Sequence, residues 1–401
     1  MKLKFALFIA LIYSILLTSC CDKKEDPIPP ANRTVLVYMV ANNSLGQSSY
    51  DYRDLQEMHQ AATNDGFNGG RLIVYHAPVF GAPALKEVTA NGIIELKQYD
   101  NNTYSIDSIR MKQVFADTKA IAPALDYGLI LWSHANAWLE NSSSEDQHKY
   151  KSIDGDQQLK PNAFGDDRGH YMKVTTLAKT LGHNQFSFIY FDCCLMASVE
   201  VCYELRHATP YIIASGTEIP ANGMPYHFNA PLFFTDPPML KEAAQSTFNL
   251  YNSYEGSSQT CTMSLIATSQ LDSLASITRQ IFESTDTLIS KKDIQSYDFN
   301  RQSLYDMKQY IHALKPDSTL LTQWDEVLSQ IVEYSAHTPK IFNRLDMTNY
   351  CGLGCYITNY PTDANYRGYH NQAWWNDVVK YKYQKGGDSM KKSFPLFWKF
   401  A

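Results

Sequence analysis

His134 and Cys194 are the two side chains in this sequence best placed to do chemistry together. Each ends an apolar, strand-like run: YGLILWSH at residues 127–134 and FSFIYFDCC at residues 186–194. An imidazole exchanges protons near neutral pH, and a thiolate attacks carbonyl carbon. Together they suffice to cleave an amide through a covalent acyl-enzyme. Read singly, each is ambiguous: a lone histidine after a strand is more often a satisfied polar residue, and a strand-end cysteine is as often structural. Their equivalent positions make them a pair. Cys193 competes for the nucleophile's role, because strand alternation puts it on the face opposite Cys194 without saying which face carries the site.

The neighbours of these residues fit the same chemistry. The backbone N–H groups of Ala135 and Cys194 are candidates to hold an oxyanion, a task that needs only main-chain atoms. Asp192 shares the face of Cys194 if the strand persists; there it either pairs with a basic group of a substrate or caps the next helix. The stripe Leu195, Val199, Cys202 predicts a helix over residues 195–207, whose positive end would favour a thiolate at its mouth.

The elements that must position these residues alternate between strand and helix. Apolar runs predict strands at residues 34–41, 72–77, 92–97 and 211–215, besides the two that end at His134 and Asp192. Helical spacing falls at residues 50–62, 106–122 and 172–181. Continuous apolar strands between helices indicate a mostly parallel sheet covered on both faces. Such sheets bind ligands beyond the carboxyl ends of their strands, where both candidates lie. Beyond residue 236 the pattern is mainly helical, at residues 238–254, 269–288, 303–314 and 318–335, with further strands at 261–267 and 353–358. Residues 141–168 are polar and too long for an ordinary connection, which marks a functional or cleavable loop.

The N-terminus reads as a targeting segment. Lys2 and Lys4 precede an apolar stretch at residues 5–17, shorter than the roughly 20 residues a spanning helix needs. Leu17-Thr18-Ser19-Cys20 follows and resembles a bacterial lipoprotein cleavage box, which implies lipidation at Cys20 and attachment to a membrane. The charged, Pro-rich residues 20–32 then form a tether. Removing residues 1–19 takes the formal charge from −6 to −8. That excludes a nucleic-acid partner, because no basic stripe remains to neutralise phosphates. The eight cysteines show no disulfide framework and no zinc-ligand spacing. Cys202, Cys261, Cys351 and Cys355 read as structural.

Taken in order, YGLILWSH, FGDD (residues 164–167), FIYFDCCLMASVEVCYEL (188–205) and ASGTEIPANGMPY (214–226) resemble the clostripain-like cysteine peptidases. These belong to the caspase-like superfamily, with gingipains, legumain and separase as distant relatives. VLVYMVANNSL (35–45) and GLGCYITNYP (352–361) extend the likeness to residues 33–361. The D-x-C-L-M-x-x-x-E block is its most specific part. The resemblance implies that Cys194 is the nucleophile and that His134 transfers the proton. It places Asp192 at the base of a pocket selecting Arg or Lys. It also implies cutting of the polar loop, with Lys149 or Lys151 as self-cleavage points. Ca2+ dependence occurs in some relatives, with Asp154, Asp156, Asp166 and Asp167 as oxygen donors here; a solvated acidic loop is the plainer reading. No cofactor is otherwise required, and no metal site is assigned.

Two departures stand out. The family usually carries H-G-G-G-W, whereas this chain has His134-Ala135-Asn136-Ala137-Trp138, and Ala and Asn resist the positive φ that Gly adopts freely. Met224 stands in Gly223-Met224-Pro225-Tyr226 where Trp is usual. The expectation is therefore an α/β, caspase-like three-layer αβα sandwich with a mostly parallel sheet and a helical C-terminal elaboration. Its segments are a signal peptide (1–19), tether (20–32), catalytic domain (33–235) and C-terminal region packed on it (236–401). The expected activity is a cysteine endopeptidase, acting as a monomer on peptide or protein substrates after Arg or Lys, exported and lipid-anchored on the periplasmic or outer face. The alternative is a catalytically silent surface lipoprotein that binds peptides in the same cleft.

Overall fold

The computed structural model describes residues 28–139, 164–285, 287, 289–298, 303–357 and 365–384. The signal segment, Cys20, Lys149, Lys151, Asp154 and Asp156 lie outside the described residues.

The first strands are β1 (Ala31–Val40), β2 (Arg71–Ala77), β3 (Ala84–Thr89), β4 (Gly92–Gln98) and β5 (Ala124–Trp132). A hairpin of β6 (Phe164–Asp167) and β7 (His170–Met172) follows, then β8 (Phe188–Asp192), β9 (Tyr211–Ala214) and β10 (Thr262–Ala267). Later come β11 (Leu304–Asp306), β12 (Val332–His337), β13 (Lys340–Ile341), β14 (Leu345–Asp346) and β15 (Gly354–Tyr356). Nine of them form one sheet, in the order β12-β10-β9-β8-β5-β1-β2-β3-β4. Its five central strands are parallel, and antiparallel pairs extend both edges. Strands β10 and β12 come from beyond residue 236, so the sheet continues into the C-terminal part of the chain.

Period-two alternation explains why this sheet is covered twice. Val35, Val37, Met39, Ile130, Trp132 and Tyr190 face one core, against the helices Tyr50–Asn64 and Leu240–Asn252. Leu36, Tyr38, Leu129, Leu131, Ile189 and Phe191 face the other, against Ser108–Ile121, Val174–Leu181, Val199–Leu205 and Leu271–Ser284. Three layers result. Chain direction across the sheet reverses between β1 and β5: β2 lies outside β1, while β8 and β9 lie outside β5. The crevice beyond the carboxyl ends of β1 and β5 is thus the expected ligand site.

Several expectations need correction, among them the helix at residues 303–314, which opens as strand β11 paired with β15 and turns helical only at Met307. The helix after Cys194 starts at Val199, because Leu195 takes a positive φ of 65° and the Ser198 side chain caps the helix through Val201 N–H. The thiol therefore does not sit at a helix mouth, and Asp192 caps nothing. The helix at residues 318–335 ends at Ile331, where the chain turns extended to form β12 on the edge of β10. The end of the polar loop is also ordered differently, since residues 164–167 form β6.

Candidate active site

The site is set by how β5 and β8 pair. Their parallel register places Trp132 opposite Asp192, and each strand ends there. His134 lies two residues beyond Trp132, and Cys194 two residues beyond Asp192. Equal steps from a matched pair bring both residues to the same edge of the sheet.

The histidine end is held by main-chain and side-chain bonds to β1 and β6. Ser133 Oγ donates to Val40 O at 2.8 Å and accepts from Asp166 N–H at 3.1 Å. His134 O accepts from Gly165 N–H at 2.9 Å. Asn43 Nδ2 lies within bonding distance of Val40 O, Ser133 Oγ and Asp166 O, so one amide ties the ends of β1, β5 and β6 together. Ser44 Oγ is 2.9 Å from His134 Nε2. Burial pushes the imidazole's pKa down to about 4, so the ring is neutral at pH 7. Of the three residues that replace glycines, only Ala137 takes a positive φ, of 50°. Ala135 and Asn136 do not take a positive φ.

The two adjacent cysteines are separated by their surroundings. Cys193 is buried in the core with its thiol toward Leu131 O at 3.8 Å, and burial pushes its pKa up strongly. Cys194 is half-buried, and its Sγ accepts from Ile219 N–H at 3.4 Å. The chain after β8 is pinned beside β9 by Leu195 N–H to Thr217 O and Ala197 N–H to Ser215 O. All six described cysteines are free thiols.

Asp192 points into the layer shared with Trp132 and Tyr190. It is buried beside a small cavity lined by Tyr190, Ile219, Gly223, Met224 and Tyr251. Met224 N–H donates to Oδ1 at 3.0 Å. Met224 thus lines the pocket wall with its main chain against the carboxylate. Burial pushes the Asp192 carboxyl up to about 7, against the Tyr226 side chain and the Met224 N–H, which favour the charged form. Two further acids approach from the Tyr50–Asn64 helix. Asp54 accepts from Trp132 Nε1–H at 2.6 Å, and burial followed by the charge of Asp192 pushes its carboxyl up as well. Glu57 accepts from Tyr226 N–H at 2.9 Å. Neither acid stands out in the sequence, since both lie on the inner side of an ordinary amphipathic helix.

Asp166 and Asp167 serve the main chain: Asp166 Oδ1 accepts from Gly169 N–H, and Asp167 Oδ2 from Ser105 N–H. Among the described residues no group of three His, Cys, Asp or Glu side chains gathers as metal ligands do. The glutamate of the D-x-C-L-M-x-x-x-E block, Glu200, is fully buried and accepts from Tyr356 N–H at 2.8 Å. Trp138 stacks on Tyr369 at 4.8 Å and meets Tyr356 edge-on at 5.0 Å. The C-terminal elements therefore clamp the segments that follow both His134 and Cys194.

The sequence profile of the clostripain family matches residues 37–383. In three dimensions the chain resembles an inactive zymogen C11 protease from Parabacteroides distasonis, with 28% identity and a TM-score of 0.75 over 88% of this chain and 99% of that one. It also resembles a secreted C11 cysteine protease from Bacteroides thetaiotaomicron in complex with an irreversible peptide inhibitor. That match has 25% identity and a TM-score of 0.73, over 86% of this chain and 99% of the other. No curated protein sequence gives a significant match. The expected fold and enzyme class are borne out together: the chain has the caspase-like αβα architecture and belongs to the clostripain family of cysteine peptidases.

Proposed function

We propose that this protein is an endopeptidase that cuts after Arg or Lys, with Cys194 as nucleophile and His134 as the proton-transferring group. The register that sets Trp132 against Asp192 supports this reading, because both strands end level and each candidate follows two residues later at that sheet edge. The contrast between half-buried Cys194 and core-buried Cys193 supports the choice of sulfur. The Cys194 proton passes to the imidazole as the S–C bond forms, and the carbonyl π pair moves to oxygen. Backbone N–H groups of Ala135 and Cys194 hold that oxyanion; one such donor is worth roughly 3–4 kcal/mol. Collapse restores the carbonyl and breaks the C–N bond, and the imidazolium protonates the departing amine. Water then attacks the thioester, giving one proton to His134 and releasing the acid as the thiol re-forms.

Asp192 explains the preference for a cation. A buried carboxylate with no balancing Lys or Arg among the described residues gains most from a guanidinium or ammonium partner. The relative bound to a peptide inhibitor supports peptide binding in the same kind of cleft. A silent binding protein is less well supported, because Ala137 already adopts the backbone conformation for which glycine is usual. Residues 17–20 support lipidation at Cys20, and Lys149 or Lys151 would be cut during maturation.

The test is hydrolysis of fluorogenic peptides ending in Arg, Lys or Asp by the purified chain, before and after limited nicking. Turnover of the Arg and Lys peptides is expected, lost in Cys194→Ala and kept in Cys193→Ala. No turnover of any peptide, or loss in the Cys193 variant alone, overturns the reading. Loss of fatty-acid labelling in Cys20→Ala tests the anchor.

A further inference from the structure

We propose that Ser44 is a positioning residue that holds the His134 imidazole by Nε2, so that Nδ1 exchanges the proton with Cys194 and the departing amine; this rests on the peptidase reading above. The two atoms lie 2.9 Å apart. Ser44 opens the short helix Ser44–Gln47, immediately beyond β1 and therefore at the crevice where chain direction reverses. Its place is not left to chance. Asn43 caps that helix by accepting Leu45 N–H at 2.9 Å, while its amide bonds Val40 O, Ser133 Oγ and Asp166 O. Ser133 directly precedes His134. The hydroxyl and the ring are thus both anchored to one asparagine, and their separation is fixed by the ends of β1 and β5 rather than by flexible side chains.

The chemistry follows from what an imidazole can do with two nitrogens. A hydroxyl accepting from Nε2–H selects the tautomer whose Nδ1 carries the lone pair, which is the form that can take a thiol proton. When the ring becomes cationic, the same bond becomes charge-assisted and strengthens. This matters here because burial pushes the imidazole toward its neutral form. A neighbour that stabilises the cation offsets that bias at the moment the proton is carried. The effect belongs to the chemical step and not to substrate affinity.

The experiment compares full-chain wild type, Ser44→Ala and Ser44→Thr. Ser44→Ala should lower kcat about 10- to 100-fold with KM within about twofold, and should slow alkylation of Cys194 by iodoacetamide at pH 7. Ser44→Thr, which keeps the hydroxyl, should restore both to within about threefold. Unchanged kcat and alkylation in Ser44→Ala overturns the proposal, as does a loss that threonine does not rescue. Alkylation reads the imidazole without any peptide. A wild-type chain that turns over no peptide would therefore reject the peptidase reading, while the role of Ser44 would still be decided.

Discussion

A Cβ added at Gly223 would lie 2.7 Å from Oδ1 and 2.8 Å from Oδ2 of Asp192, so this glycine's backbone is the surface on which the carboxylate rests. Gly223 also holds a φ of 62°, and its carbonyl accepts from Tyr251 O–H at 2.5 Å. Gly223→Ala must push the carboxylate aside and strain the main chain. The expected outcome is at least a tenfold loss of kcat/KM for Arg and Lys peptides, with stability reduced by about 1–3 kcal/mol. Peptide kinetics and urea unfolding check the two effects separately.

Asp192 makes stability depend on pH. Its folded carboxyl is pushed up to about 7, whereas an unfolded aspartate titrates near 3.9. Between those values the folded chain holds a proton that the unfolded chain has lost. Stability therefore falls as pH rises across that window, and the full cost remains above it. Asp192→Asn should gain on wild type between pH 4 and pH 8, by on the order of 2–4 kcal/mol, in urea unfolding. In wild type, KM for Arg peptides should fall as pH rises through 7, because the charged carboxylate is the form that pairs with the guanidinium. A pH-independent difference between the two proteins would count against this account.

Ala137 carries a φ of 50°, a conformation that costs an L-residue about 1–2 kcal/mol. Glycine adopts it freely but loses more freedom on folding. Ala137→Gly is therefore expected to stabilise the chain by about 0.5–1 kcal/mol and to keep full turnover. Thermal unfolding with parallel peptide assays tests this; a lower melting temperature would show that the alanine methyl packs usefully.

Glu200 anchors the C-terminal strand β15 through the Tyr356 N–H. Burial pushes its carboxyl up to about 7, so much of it is neutral near physiological pH. Glu200→Gln keeps an acceptor and should cost less than about 1 kcal/mol. Glu200→Ala leaves a buried N–H without its partner and opens a cavity, and should cost about 2–4 kcal/mol. Equal losses in the two variants, measured by denaturant unfolding, would show that the hydrogen bond is not what matters.

Local pattern carried much of the architecture and failed where partners decided. The continuous apolar runs in 34–41 and 186–192 read directly as buried parallel strands, because a core on both faces demands apolar side chains at every position. Residues 332–335 read in the sequence only as the tail of a helix, since their extended form comes from pairing with β10, which is distant in sequence. Strand β3, partly polar and only half-buried, offered no comparable run. At the site, His134, Cys194 and Asp192 stood out by position. Ser44, Asp54 and Gly223 did not, because each acts through a contact between residues at least 30 positions apart.

The amino-acid sequence alone pointed to the class of chemistry and put its candidate residues at one sheet edge, since residue type and strand periodicity are local properties. The tertiary structure decided which of two adjacent sulfurs faces the core, what holds the imidazole, and which acids surround the Asp192 carboxylate. Those outcomes depend on strand register and on burial, and both arise only when remote segments pack together.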